Sequence, residues 1–209
     1  MRLFALRKPP GPALAGGDIA LRHPVADDFP AWRELREESA GFLIPGEPRW
    51  PADDLTRTGF RRRLDRYRRD ALSQVALTWF LFHRETGRLL GGITLSNIRM
   101  GASRSGQIGY WMGARHAGKG YMVQAVRLVL AEAFGSLRLE RVEAACIPHN
   151  ARSVRLLDGV GFVREGYLRA YLEINGERHD HVLYAMLRTD FCESEHGRVT
   201  GRIVAPIGP

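Results

Sequence analysis

The chain has 209 residues, of which 44% are hydrophobic, so it is long enough for one globular domain with a substantial core. Its formal net charge of +8 comes almost entirely from arginine, because Lys8 and Lys119 are the only lysines. A basic surface suits phosphate-bearing ligands or RNA and selects neither. The only cysteines, Cys146 and Cys192, form neither a zinc-ligand pattern nor a secreted disulfide framework. With no signal segment and no run of eighteen apolar residues, we expect a soluble, cytoplasmic, metal-free protein.

Three regions are predicted along the chain. Residues 1–17 are rich in proline and glycine, which predicts a flexible lead. Residues 18–192 contain all the periodic hydrophobic segments and are expected to form a single domain. Residues 193–209 are polar and interrupted by glycine, so we predict a disordered tail.

The first half of the domain is predicted to begin with a short strand at residues 19–22 and a helix over residues 27–39. Asp27 or Asp28 would cap this helix and Gly41 would close it. Residues 42–51 hold three prolines and apolar residues without a period, which predicts a loop that caps the core or lines a pocket. A second helix is predicted over residues 53–69. Its arginine-rich face, residues 61–69, would face solvent or RNA, and the interspersed aspartates favour solvent.

Strands dominate the remainder of the domain, and a mixed, mostly antiparallel sheet flanked by helices is predicted, which is an α/β (α+β) fold. Asn175-Gly176 is the strongest hairpin signal in the sequence. A helix over residues 118–134 joins two strands, so those two strands should be parallel. A short helix is expected from Asn150 to Asp158. The predicted strands lie at residues 75–82, 89–98, 106–112, 139–146, 168–174 and 178–187.

A basic, glycine-rich turn separates the strand at residues 106–112 from the helix that follows. Its backbone N–H groups, together with the positive end of the helix, favour a bound anion such as a pyrophosphate. Val123 breaks the dinucleotide pattern G-x-G-x-x-G, and the pattern of nucleoside triphosphate loops does not occur. An ordinary tight connection is the alternative. The arrangement R-x-x-G-x-G formed by Arg115, Gly118 and Gly120 resembles the acetyl-CoA loop of the GNAT acetyltransferases.

A second pattern begins at Asn150, which has Ser153 three residues later at the start of a helix. The simplest interpretation is that Asn150 caps this helix. The run from Asn150 to Phe162 also resembles the second CoA motif of the GNAT family. That resemblance implies that Asn150 binds the pantetheine arm and that Ser153 lies beside the sulfur. Leu157 stands where many members carry the tyrosine that protonates the leaving thiolate, so Ser153 is the expected acid.

From residue 19 to residue 191 the chain is similar to the ribosomal-protein-alanine N-acetyltransferase branch, also called RimJ/RimL-like. Gly46 departs from that branch, where an aromatic residue is usual. The resemblance implies a GNAT fold whose sheet splays after residues 106–112 and holds acetyl-CoA in the gap. Beyond the two CoA motifs, the matching residues are Phe42-Leu43, Pro45, Glu47-Pro48, Ser96-Asn97, Glu165-Gly166-Tyr167, Tyr171, Asn175-Gly176 and Asp180-His181-Val182-Leu183.

The activity implied by this resemblance is acetyl transfer from acetyl-CoA to a protein N-terminal α-amine, with the N-terminal alanine of a ribosomal protein as the expected acceptor. Backbone N–H groups of residues 110–112 would polarise the thioester carbonyl. The alternatives are acetylation of a polyamine or aminoglycoside, and a non-catalytic CoA-sensing or RNA-binding module. The expected co-substrate contacts are Tyr110, Trp111, Met112, Arg115, His116, Ala117, Gly118, Lys119, Gly120, Tyr121, Asn150 and Ser153.

An N-terminal amine needs little help from a base, because its reference pKa of about 7.7–8.0 leaves much of it neutral near pH 7.5, whereas lysine has a pKa of about 10.4. The candidate proton acceptors are Glu47, Asp180 and His181. His179 and His181 project from the same face of one strand, which raises the possibility of a metal site, but no third ligand lies at a spacing that would complete it. We expect a monomer or homodimer that contacts no membrane and no specific nucleic acid.

Overall fold

The computed structural model describes residues 13–193 and the pair Arg202–Ile203. Its core is a sheet whose neighbouring strands are antiparallel, except for the strands at Ser105–Met112 and Arg141–Cys146, which are parallel to each other. The strands are β1 (Leu14–Gly16), β2 (Ile19–Arg22), β3 (Leu77–His83), β4 (Leu89–Arg99), β5 (Ser105–Met112), β6 (Arg141–Cys146), β7 (Val163–Ile174), β8 (Glu177–Leu187) and β9 (Arg202–Ile203). Their order across the sheet is β7-β8-β6-β5-β4-β3-β2-β1-β9.

Helices cover both faces of this sheet. Successive residues of β3 belong to opposite layers, because Trp79 and Leu81 pack in one hydrophobic cluster and Phe80 in another. The first cluster includes most of the helix at Tyr121–Phe134, and the second includes residues of the helices at Phe29–Glu38 and Arg57–Leu72. No helix in the described part of the chain is long and apolar enough to span a membrane. The helices are α1 (Phe29–Glu38), α2 (Ala40–Leu43), α3 (Arg57–Leu72), α4 (Tyr121–Phe134), α5 (Ala151–Val160) and α6 (Arg188–Glu193).

The sheet opens between β5 and β6. The two strands pair from Ser105 opposite Arg141 to Ile108 opposite Ala144, and no further. Beyond that point β5 continues to Met112 paired only with β4, while β6 continues to Cys146 paired only with β8. The predicted GNAT arrangement, a mixed and mostly antiparallel sheet with a splayed strand pair, is confirmed.

The predicted boundaries of the domain need two changes. Residues 14–16 form β1, because the side chain of Leu14 is buried in the core, so the lead over residues 1–17 is not flexible throughout; residues 1–12 lie outside the described part. At the other end, α6 continues the fold to residue 193, since Phe191 packs on Phe134 with ring centroids 5.5 Å apart. Within the predicted tail, Arg202–Ile203 pairs with β1, and the other residues beyond 193 lie outside the description.

Three predicted helix boundaries are also corrected. Gly41 does not close a helix; it lies inside α2, and a 3-10 turn at Ile44–Gly46 follows, so the segment 42–51 is partly helical. Asp28 precedes α1, but its carboxylate accepts from the Val25 N–H at 2.8 Å and does not cap α1. The helix predicted over residues 53–69 is α3, which begins later than predicted, at Arg57. The hydroxyl of Thr56 caps α3 by accepting from the Gly59 N–H at 3.1 Å.

Candidate active site

The basic turn after β5 forms an open backbone cradle. Gly118 and Gly120 have φ values of +76° and +79°, a left-handed conformation that favours glycine, and α4 therefore begins at Tyr121 and not at Gly118 as predicted. A Cβ atom at either glycine would meet no heavy atom within 4 Å. The backbone is thus exposed beside the N-terminus of a fourteen-residue helix, which suits an anionic group.

Positive charge surrounds this cradle. Arg115 and Lys119 are exposed, and the Arg115 guanidinium lies 2.9 Å from the Glu38 carboxylate. His116 is buried beside them, and its pKa is lowered by burial and by its positively charged neighbours, which include Arg115, Lys119 and Arg88. The positive charges around His116 would attract a negatively charged phosphate group.

The cradle is fixed to the junction of α1 and α2. The Ala114 N–H donates to the hydroxyl of Ser39 at 2.9 Å, and Ser39 is itself buried. Tyr121 packs edge-on against His83 of β3, with ring centroids 5.8 Å apart. Ser39 was not among the predicted site residues, because its contact with the loop is between segments distant in the sequence.

Two backbone N–H groups of β5 face the opening in the sheet. The Gly113 N–H donates to the Leu90 carbonyl of β4 at 2.9 Å. Because consecutive N–H groups of a strand point in alternate directions, those of Met112 and Tyr110 point away from β4 and into the gap. The side chain of Trp111 lies on the face of the sheet that α1 and α3 cover, where it packs edge-on against Phe80. The backbone N–H of Trp111 points towards β4, like that of Gly113, so Trp111 supplies no hydrogen-bond donor to the gap.

Ser153 lies at the entrance to this gap, in the first turn of α5. The Asn150 side-chain oxygen caps the helix by accepting from the Ser153 N–H at 3.2 Å, which leaves the Asn150 amide group available. The Ser153 side chain lies near the Tyr110 side chain of β5. Burial raises the pKa of Tyr110 to about 12, and that of the nearby Cys146 thiol to about 11. Leu157 is only 1% exposed and packs in the core.

Of the three proposed proton acceptors, Glu47 and Asp180 are already engaged. Both oxygens of Glu47 accept from Arg36, at 2.8 and 2.7 Å, and one also accepts from the Trp50 indole at 2.8 Å. Asp180 accepts from the Ala170 N–H at 2.7 Å and from the Tyr167 hydroxyl at 2.8 Å. Both hydrogen bonds lower the pKa of Asp180, and the bond from the Ala170 N–H has the larger effect. They also hold the irregular turn of β7, where Ala170 has a φ of +46°.

His181 is arranged differently. It is only 2% exposed, its Nδ1 lies 3.0 Å from the His179 carbonyl oxygen, and its ring packs edge-on against Tyr171. A carbonyl can only accept, so Nδ1 carries the hydrogen and Nε2 of the neutral ring can accept a proton. Gln107 donates to the Tyr171 hydroxyl at 3.3 Å, which joins β5 to this group. The described residues contain no group of three or more potential metal ligands.

The segment from Glu38 to Glu47 contacts the cradle, α5 and the turn between β7 and β8. Besides contacting the cradle, it places Phe42 under the Arg152 guanidinium of α5 at 4.6 Å. At its other end, the Glu47 carbonyl accepts from the Asn175 N–H at 3.0 Å. The segment 42–51, which was predicted to cap the core or line a pocket, is therefore in contact with the Asn175-Gly176 hairpin.

The arginine-rich face of α3 is mostly solvated. Arg61, Arg66, Arg68 and Arg69 are exposed. Arg62 pairs with Asp53, and Arg63 is turned inward, where it pairs with Asp54. The exposure agrees with the solvent-facing arrangement that the interspersed aspartates favour.

A sheet that opens beside an exposed glycine cradle suited to an anionic group is the arrangement expected of a GNAT acetyltransferase. Residues 18–163 match the family model of the acetyltransferase (GNAT) domain, and the chain belongs to that family. It is an N-acetyltransferase of the RimJ/RimL type, as its relatives show.

Among curated proteins, the chain is 39% identical over 140 residues to the probable N-acetyltransferase YjcK of Bacillus subtilis, covering 66% of this chain and 77% of that one. It is 31% identical over 169 residues to the [ribosomal protein uS5]-alanine N-acetyltransferase of Escherichia coli, covering 80% and 87%. Among solved structures, Mycobacterium smegmatis RimJ in complex with CoA-disulfide superimposes with a TM-score of 0.81 at 31% identity, covering 90% and 91%.

Proposed function

We propose that the protein transfers the acetyl group of acetyl-CoA to the N-terminal α-amine of a protein, with the N-terminal alanine of a ribosomal protein as the acceptor. The observation that carries this proposal is the opening between β5 and β6, which has the glycine cradle at its end and Ser153 at its entrance. The relative from Escherichia coli is named for acetylating the alanine of a ribosomal protein, which supports the choice of acceptor.

The cradle would hold the diphosphate of the co-substrate. The N–H groups around Gly118 and Gly120, with the charges of Arg115 and Lys119, supply the donors and the positive field that a diphosphate requires. His116, Ala117 and Tyr121 adjoin these residues along the chain and are further proposed contacts. The free amide of Asn150 would contact the pantetheine arm, as the family motif implies.

The reacting carbonyl would lie in the gap. The N–H groups of Tyr110 and Met112 point into it and are fixed by the pairing of β5 with β4, so they can stabilise charge on the carbonyl oxygen without rearrangement. Ser153 would donate to the departing sulfur. Leu157 cannot take that role because it has no proton to donate and is buried.

His181 is the proton acceptor that the contacts favour. Glu47 neutralises a buried arginine, and Asp180 is committed to the backbone of β7, so either one would lose stabilising bonds on protonation. His181 lies in β8 next to Val182, the last residue that pairs with β6, and its Nε2 is available as an acceptor when Nδ1 donates to the His179 carbonyl. It would receive the amine proton directly or through water. Glu47 and Asp180 are then positioning residues.

A matched set of acceptors tests the proposal. One peptide begins with a free alanine and contains a lysine; its partner is identical but has a blocked N-terminus; spermidine and an aminoglycoside complete the set. At pH 7.5 the neutral fraction of an α-amine exceeds that of a lysine by about 200-fold, so we expect a rate difference of that order. Equal acetylation of the blocked peptide, or faster acetylation of the small amines, would overturn the proposal.

A further inference from the structure

Arg36 of α1 is a buried arginine that connects the segment 42–51 with β5. It is only 4% exposed, and two nitrogens of its guanidinium donate to the carboxylate of Glu47, at 2.8 and 2.7 Å. The guanidinium carbon lies 4.1 Å from the ring centre of Trp50 and 5.1 Å from that of Trp111, within the range of cation–π attraction. The Trp50 indole also donates to Glu47, at 2.8 Å. One arginine of α1 therefore holds a carboxylate and an indole of the segment beside an indole of β5.

Trp111 gives this group a fixed base. Its ring packs edge-on against Phe80, with ring centroids 6.2 Å apart, and it lies directly over Gly92 of β4, where an added Cβ would come within 2.5 Å of the indole nitrogen. The residues on either side of Trp111 are the two whose N–H groups point into the gap. Arg36 thus sets the position of the segment 42–51 relative to the part of β5 that would hold the reacting carbonyl.

The segment 42–51 connects the elements that carry Ser153 and His181. The ring of Phe42 lies 4.6 Å from the guanidinium carbon of the arginine that immediately precedes Ser153 on α5. Five residues later, the Glu47 carbonyl accepts from the turn between β7 and β8, and β8 is the strand that carries His181. An acceptor amine that reaches both groups would therefore lie beside this segment.

An arginine at this buried position fixes a geometry that an apolar side chain would not. A buried ion pair adds little net stability, and replacing both partners by apolar residues of similar volume is often neutral or stabilising. The planar guanidinium fork, in contrast, donates to a carboxylate in one relative orientation. A misplacement of about 1 Å can lower the rate of a reaction by about 10²-fold, so a fixed orientation matters most where a substrate is positioned.

We propose that Arg36 is a positioning residue for the acceptor, which holds the segment 42–51 against Trp111 so that the amine is directed at the thioester carbonyl. This inference rests on the proposed function. The contacts with the cradle are made separately, by Glu38 and Ser39. Loss of Arg36 should therefore change the kinetics of the acceptor and leave the binding of CoA intact.

The test is the double variant Arg36→Met with Glu47→Met, which removes both charges at once while Asp54 keeps its ion pair with Arg63. Because no charge loses its nearest partner, the melting temperature should stay close to that of wild type. We expect kcat/KM for a peptide beginning with alanine to fall by about 10²-fold, mostly through KM, with the Kd for CoA within about twofold of wild type. Hydrogen exchange over the segment 42–51, which needs no acceptor, should become faster.

Arg63→Met is the matched control. Arg63 pairs with Asp54, which also lies 3.9 Å from Arg36, but its guanidinium carbon lies 5.3 Å from the ring centre of Trp32. This variant should be less stable than wild type, because a buried carboxylate loses its nearest partner, and should keep kcat/KM within about threefold.

Three results would overturn the inference alone: wild-type kcat/KM in the double variant, unchanged hydrogen exchange of its segment 42–51, or an equal loss of kcat/KM in Arg63→Met. Each would mean that Arg36 contributes only to the stability of the fold. Absence of transfer from acetyl-CoA to any α-amine by the wild-type enzyme would overturn the proposed function with it.

Discussion

Placing a carboxylate in the cradle is the most informative perturbation of the cofactor site. In Gly118→Glu the new Cβ meets no heavy atom within 4 Å, so the substitution causes no steric conflict in the free protein. The left-handed φ of +76° costs about 1–2 kcal/mol of stability for a residue with a side chain. Repulsion between the carboxylate and one phosphate charge about 4 Å away amounts to about 4 kcal/mol at an effective dielectric constant of 20.

That repulsion corresponds to a loss of CoA affinity of about 10³-fold, measurable by calorimetry. Gly101→Glu is the matched control, because Gly101 has a φ of +72° and equally open surroundings but lies in the turn between β4 and β5. It should lose the same stability and no affinity. Gly118→Ala measures the loss of stability that a side chain causes at this left-handed backbone position, without the added carboxylate. If Gly118→Glu bound CoA within threefold of wild type, the cradle would not be the diphosphate site.

Three other predictions concern catalysis and stability. Ser153→Ala should lower kcat by about 10²–10⁴-fold, with little change in acetyl-CoA affinity. The melting temperature should also change little, because Asn150 still caps α5. Steady-state kinetics and a melting curve test this, and a kcat within about threefold of wild type would contradict it. Glu47→Gln should cost about 3 kcal/mol in the free energy of unfolding, because the buried Arg36 loses its nearest carboxylate and keeps only Asp54, at 3.9 Å. The pH profile of kcat in the folded variant should be unchanged, and a shifted profile would return Glu47 to the role of base. Burial lowers the pKa of His23 to about 4, so the unfolded state binds more protons in acid and stability falls as the pH drops from about 6.5 towards 4. Denaturant melts should show about 2.5 kcal/mol more loss between pH 7.5 and 4.5 in wild type than in His23→Phe; parallel curves would contradict this.

The features that could be predicted from sequence are those determined by short stretches of chain. Asn175-Gly176 gives a hairpin because both residues adopt positive φ angles, and the glycines of the cradle do so in the same way. Gly41 misled the prediction because glycine ends a helix only when it takes a left-handed conformation, and Gly41 is not among the residues of positive φ.

The features that could not be predicted depend on contacts between distant segments. Ser39 was not predicted as a site residue, because nothing in its neighbourhood along the chain indicates that its hydroxyl accepts from the Ala114 N–H. Glu47 looked like a free carboxylate in a proline-rich loop until Arg36, one helix earlier, was found to be buried against it. Strand β1 was not predicted because its surroundings are rich in glycine. The strand forms where Leu14 is buried in the core and residues 14–16 pair with β2.

The most direct test of the proposed activity uses ribosomal proteins as a mixture of natural acceptors. Proteins dissociated from bacterial ribosomes are incubated with the enzyme and isotopically labelled acetyl-CoA, and each label is located by fragmentation in a mass spectrometer. Ser153→Ala serves as the control for spontaneous acetylation. We predict label on the N-terminal α-amine of one or a few ribosomal proteins, beginning with alanine. Label confined to lysine side chains, or equal labelling with Ser153→Ala, would contradict the account.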